Sequence, residues 1–149
     1  MTDERRNQMS GLEQVRAMLA AGRQPPFGVK LGVSLIEADY GHAIFEGVPD
    51  DSTFNPMGSV HGGYFASMLD SACGIAVHTA LEPGCGYTTL ELKVQFIAPL
   101  TARSGTVRAV GKLVSIGRRA AFSEASLFDG QGKLCATATS TLLILQPRS

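Results

Sequence analysis

Apolar residues along the chain recur with two different periods. Leu12, Val15, Met18 and Leu19 return at three- and four-residue steps, the signature of one helix face. They predict a short amphipathic helix over Leu12–Ala21, ended by Gly22 and stopped by Pro25-Pro26. The polar residues 1–9 before it are expected to be loose. Extended stretches follow from Val29 to Tyr40 and from His42 to Val48, with Gly41 as the turn of a hairpin. Residues 49–60, dense in Pro, Asp, Ser, Asn and Gly, read as a loop. From Tyr64 to about Leu81 the chain has no proline and is apolar or small on every side, the pattern of a helix buried within a fold, and Pro83-Gly84 closes it. Four strand-like segments remain: Tyr87–Ile97, Gly105–Ser115, Ala120–Phe128 and Leu134–Leu145, with turns at Gly117 and Asp129-Gly130.

Strands joined by such short turns run antiparallel. The pattern therefore predicts an α+β fold in which an antiparallel sheet covers one long helix, with a short helix at the N-terminal end. Val94, Phe96, Val107, Ala109, Phe122 and Leu142 are the expected helix-facing positions, although a slip of one residue inverts a strand's faces. At 149 residues, with no repeat or linker, one domain is expected across 1–149.

Composition narrows the function classes. Formal net charge is zero, so no global field draws the chain to nucleic acid or to an anionic membrane. No apolar run approaches the ~20 residues of a bilayer span. The start of the chain has no apolar stretch after its basic residues, so no secretory signal is read there. Cys73, Cys85 and Cys135 are odd in number and widely spaced, and His42, His61 and His78 lack metal spacing. No disulfide framework and no metal site are expected, and a reducing cytoplasm is the simplest compartment.

Asp70 is the first candidate for chemistry. It is the only acid between Asp51 and Glu82 and is flanked by Phe65, Met68, Leu69, Cys73 and Ile75. A carboxylate in such a helix is costly to bury unpaired. It either serves a reaction or lies on a small exposed strip. Gly62 and Gly63 stand where the loop becomes the helix. There, first-turn N–H groups lack internal partners, and a glycine lets a substrate atom approach closely. An oxyanion could be held at such a point, or the pair could simply end a loop. His61 could be a base, a ligand or a loop anchor. Asn55 precedes Pro56 in a turn, where asparagine is common for local reasons. Ser59, Ser67 and Ser71 lack the context of a nucleophile elbow. Arg118-Arg119 follow Gly117 between strands, as a solvated turn or as a fork for phosphates.

These residues together resemble a family. Asn55, then His61-Gly62-Gly63, then an acid eight residues after the first glycine, is similar to the PaaI-type acyl-CoA thioesterases of the hotdog-fold superfamily. The segments TLELKVQFIAPL (89–100) and SIGRRAAF (115–122) also resemble that family, and the likeness covers about residues 28–145. It implies hydrolysis of an acyl-CoA thioester without a cofactor. It implies a homodimer or homotetramer in which sheets join edge to edge and sites lie between subunits. The N–H of Gly62 would polarise the thioester carbonyl, and Asp70 from the other subunit would be general base or nucleophile. Asn55 would hold the substrate or the attacking water, and Thr89, or its neighbour Thr88, would assist. His61 and Gly63 would shape the substrate loop, and Arg118 and Arg119 would meet CoA phosphates. Two other readings remain. One is a hotdog dehydratase or hydratase using His61 with Asp70. The other is a non-catalytic acyl-CoA-binding module.

Overall fold

The computed structural model describes residues 8–147; the expectation of a loose start, 1–9, lies outside these for all but its last two residues. Helix α1 spans Gly11–Ala20. Ser10 caps it, accepting from the Glu13 N–H while the Glu13 carboxylate accepts in return from the Ser10 backbone, so two otherwise orphaned donors are satisfied. A second helix, α2, spans Pro26–Leu31, beginning at the prolines read as a helix stop and taking the first three residues of the stretch Val29–Tyr40 expected to be extended. Proline at its first position costs no hydrogen bond, and Gly32 ends it in the left-handed conformation. Strands β1 (Val33–Asp39) and β2 (His42–Gly47) form the expected hairpin, with β1 shortened by α2.

The loop from Pro49 contains one 3₁₀ turn at Asp51–Thr53 and leads into α3, Gly62–His78. This helix starts two residues before the expected Tyr64, because His61 caps it. Strands β3 (Gly86–Phe96), β4 (Val107–Ile116), β5 (Ala120–Phe128) and β6 (Leu134–Leu145) follow. They complete a six-stranded antiparallel sheet ordered β1-β2-β4-β5-β6-β3. The sheet wraps around α3, the arrangement implied by the resemblance.

Met68, Leu69, Ala72, Cys73, Ala76 and Val77 turn from α3 into the core and meet Leu35, Phe45, Val107, Ala109, Leu127 and Leu142. The closest approach is backbone to backbone. A methyl on Gly111 of β4 would run into the carbonyl of Ala72, so glycine there lets the sheet curve tightly over the helix. Two expected inward positions differ. Phe122 points outward, because Ala121 and Ser123 are the buried pair on either side of it. Phe96 is largely exposed, although its ring meets that of Phe65 edge-on at 5.5 Å. The helix is also not apolar all round. Ala66, Ser67, Asp70 and Ser71 form a half-buried strip along one side. Strand β3 lies at one edge of the sheet, with no strand beyond it among the described residues. No helix among the described residues is long and apolar enough to cross a membrane.

Candidate active site

Asp70 sits in the middle of the strip on α3, half-buried, and accepts a hydrogen bond from Thr89 Oγ1 at 3.0 Å. Of the two threonines, Thr89 therefore faces the carboxylate, while Thr88 is exposed. Thr89 occupies Oδ1, so the other carboxylate oxygen is available to a water or a carbonyl carbon. Asp70 and Thr89 line a cavity of about 290 Å³ with Phe27, Ala66, Ser67, Ser71 and Leu92.

The start of α3 separates the two glycines by their hydrogen bonding. His61 is the N-cap, and its Nδ1 accepts from the Gly63 N–H at 2.8 Å. That bond commits the Gly63 donor to the His61 ring. The backbone N–H of His61 donates to the Thr53 carbonyl at 2.8 Å, tying the loop to the helix start. The Gly62 N–H has no acceptor among the described residues. It stands at the positive end of a seventeen-residue helix, and Gly62 borders a cavity of about 380 Å³ with Ser59, Val60, Phe65, Phe96, Ile97, Ala98 and Pro99. Phe96 explains the glycine sterically: a Cβ at position 62 would lie 3.1 Å from its ring.

The structure uses Asn55 locally. Its Oδ1 accepts from Met57 N at 2.9 Å and Ser59 N at 3.3 Å, and its Nδ2 donates to Ser59 Oγ at 2.9 Å. The amide thus shapes the 55–59 turn beside Gly62. Arg118 and Arg119 are exposed on the β4–β5 turn, held through their backbone carbonyls by Gln146 Nε2 and Ile144 N, each at 2.9 Å. That turn lies at the Tyr87 end of β3, since Ile144 pairs with Tyr87, whereas Gly62 lies at the Phe96 end. The arginines and Gly62 of one chain are therefore at opposite ends of an eleven-residue strand.

Nor do Asp70 and Gly62 of one chain meet. Eight residues along a helix is ~12 Å of rise, and the two border different cavities. Cys73 is no substitute nucleophile: it is fully buried, and desolvation pushes its thiol up to about 11. No cluster of three metal-ligating side chains occurs among the described residues.

The sequence profile of the thioesterase superfamily matches residues 57–136. The chain belongs to that superfamily. Among relatives of this thioesterase, the 1,4-dihydroxy-2-naphthoyl-CoA hydrolase of Escherichia coli is 30% identical over 96 residues, 64% of this chain and 69% of that one. A protein of Saccharolobus solfataricus named only as an esterase is 33% identical over 87 residues; the match spans 58% of this chain and 56% of that protein's length. In structure, the E. coli PaaI protein superposes with a TM-score of 0.80 at 20% identity, covering 92% of this chain and 94% of that chain. The hotdog fold is thus established, and thioester hydrolysis is the activity the thioesterase carries at the level of its family.

Phe27 and Leu92 are not among the candidates read in sequence, and Ser67 and Ser71 were weighed there only as nucleophiles; all four border the Asp70 cavity. For Phe27 a signal was present: proline at the head of a short segment and glycine at its end mark a helix as well as a stop.

Proposed function

We propose that this thioesterase hydrolyses an acyl-CoA to the free acid and CoA in a site assembled from two copies of the chain. The observation that carries it is the Asp70 carboxylate, hydrogen-bonded by Thr89 on an open strip ~12 Å along α3 from an uncommitted Gly62 N–H. One carbonyl cannot be within bonding distance of both groups of one chain. The bare edge of β3 supplies the second chain. Two β3 strands paired antiparallel about their middle bring the Thr89 end of one toward the Phe96 end of the other. Asp70 of one copy then approaches Gly62 of the second, and the Arg118–Arg119 turn approaches the same end.

In that site Gly62 N–H donates to the thioester carbonyl and to the oxyanion that grows from it. A preorganised donor of this kind contributes ~10²–10³ in rate. Asp70 removes a proton from water as the water oxygen bonds to the carbonyl carbon. The tetrahedral intermediate collapses, the C–S bond breaks, and the CoA thiolate takes the proton back. Direct attack by the carboxylate, followed by hydrolysis of the anhydride, uses the same two groups. Thr89 holds Asp70 in the orientation either route needs. Asn55 acts on the substrate through the turn it shapes and on any water that turn holds, and Arg118 and Arg119 meet CoA phosphates. His61 and Gly63 keep α3 capped, which leaves the His61 Nδ1 unavailable for the proton abstraction a dehydratase requires. The free thiols of Cys73, Cys85 and Cys135 suit a reducing, cytoplasmic setting.

The test is complementation. Folded Asp70→Asn protein should lose ~10²–10⁴ in kcat with KM little changed. Gly62→Pro should be inactive for want of the donor. Mixed, unfolded together and refolded, the two should regain activity, because a mixed pair holds one site with both native groups. Full activity of Asp70→Asn alone refutes the assignment. Inactivity of both variants without recovery on mixing refutes the two-chain site.

A further inference from the structure

The cavity beside Asp70 does not end there. Ser67 borders it and also borders a second cavity of about 590 Å³, lined by Lys30, Leu31, Ser52, Thr53, Phe54, His61, Gly63 and Tyr64. The two form one trough along the half-buried strip of α3. Its opposite wall is α2: Phe27 borders the first cavity, and Lys30 and Leu31 border the second. Residues three and four apart share a helix face, so these three side chains project from one side of α2 toward α3.

Phe27 is 59% exposed and borders the Asp70 cavity, on a short helix whose one buried residue is Gly28. The anchoring is tight on both sides of it. Gln24 forms a two-way bridge to Leu35 of β1, its Nε2 donating to the carbonyl at 3.0 Å and its Oε1 accepting from the N–H at 2.8 Å. Gly28, the next residue after Phe27, is buried so closely that a Cβ would lie 2.7 Å from the Val33 carbonyl oxygen. The backbone on either side of the ring is held in place, and the ring borders the cavity that Asp70 lines.

We infer that Phe27 is a specificity-determining residue of this thioesterase, the wall against which the acyl group packs as its carbonyl meets Asp70. The inference rests on the proposed role of Asp70. The thioester carbon carries the acyl substituent on one side and the CoA sulfur on the other, and the apolar part of the lining beside the carboxylate suits the acyl side. The apolar surfaces there are Phe27, Ala66 and Leu92. An apolar cavity of ~150 Å³ holds one benzene ring, so about 290 Å³ accepts a ring or a short alkyl chain. A longer chain runs past Ser67 toward Leu31. Selectivity is thus set by an element outside the hotdog sheet and outside the His-Gly-Gly segment.

The experiment measures kcat/KM for acetyl-, butyryl-, hexanoyl-, octanoyl- and benzoyl-CoA with the unmodified protein and with Phe27→Ala, Phe27→Trp and Ile97→Ala, each checked for native circular dichroism. Ile97, 56% exposed, borders the Gly62 cavity instead. The expected result for Phe27→Ala is a roughly tenfold fall in the hexanoyl-to-acetyl ratio, through KM, since one methylene-sized change in an apolar subsite is worth about 10–200-fold. Phe27→Trp narrows the trough and moves the preference toward shorter chains. An unchanged ratio in both Phe27 variants overturns the inference. So does a shift produced by Ile97→Ala in their place, which puts the acyl group in the other cavity. If the unmodified protein hydrolyses none of the five thioesters, the proposed function itself has failed; if it hydrolyses them and Asp70→Asn does not, while Phe27 leaves the ratio untouched, only the wall has failed.

Discussion

Replacing Gly74 by alanine sets two opposing effects against each other. Gly74 lies one turn beyond Asp70 in α3, and a Cβ there would sit 2.8 Å from Tyr87 Oη and 3.0 Å from its Cε2. Alanine in a helix interior is worth ~0.8–1 kcal/mol over glycine. Against this, ordinary carbon contacts begin near 3.4 Å, so the ring must give by about half an ångström. Overpacking of a filled site costs ~1–3 kcal/mol. The second effect is the larger, and the variant should be less stable by up to ~2 kcal/mol, or ~4–8 °C in Tm for a chain of this length. Tyr87 and Thr89 lie on the same face of β3, so the displacement passes to the 3.0 Å bond between Thr89 and Asp70. Thioester hydrolysis should slow up to tenfold in kcat, with KM moving less. Urea unfolding and steady-state release of the CoA thiol measure both. The double variant Gly74→Ala with Tyr87→Phe removes the nearest atom and should recover part of each loss, giving a coupling energy between the positions. A Gly74→Ala protein that is ~1 kcal/mol more stable and fully active would show that helix propensity alone decides, and the reasoning from Tyr87 would be wrong.

Three further outcomes are expected. His61→Ala removes the N-cap and should cost ~0.5–2 kcal/mol by urea unfolding, whereas His61→Asn, able to cap through its side-chain oxygen, should restore most of it and keep activity within a few-fold. Loss of turnover in a fully stable His61→Asn protein would give the imidazole a chemical role instead. Arg118→Ala should raise KM for CoA thioesters more than it lowers kcat, with the difference shrinking as salt rises; kinetics unchanged at all ionic strengths would return the pair to a solvated turn. Tyr64→Phe should be neutral or stabilising, because its buried hydroxyl finds no partner among the described residues, and a loss above ~1 kcal/mol would reveal a bond that this geometry lacks.

Much of the architecture could be read from residue order. The last two strands have the ends expected from their patterning, and the buried helix was evident from its composition. Faces were harder to assign. In β5 the large Phe122 looks like an inward residue, yet the small Ala121 and Ser123 on either side of it are the buried ones. Bulges between Thr89 and Glu91 and between Leu113 and Ser115 shift the alternation midway along two strands, and nothing local announces them. The Asp70 and Gly62 positions were legible because an acid among apolar residues and a glycine pair at a helix start are unusual in themselves. Phe27 was not, since Pro25-Pro26 reads first as the stop of α1 and only in three dimensions as the start of α2.

The Gln24 bridge has a bearing on how many chains can join. A sheet has two flanks, and a molecule offering both for pairing could add copies without limit, each new arrival presenting a fresh flank to the next. In this protein the β1 flank is already occupied: an amide side chain imitates one residue of a neighbouring strand at Leu35, and a bulge follows between Leu35 and Glu37. The proposed pairing uses the β3 flank, at the other edge of the sheet. In the proposed pair, growth along the sheet terminates once two β3 strands have met, and the amide of Gln24, three residues before Phe27, becomes the stopper that favours a finite pair over a fibre.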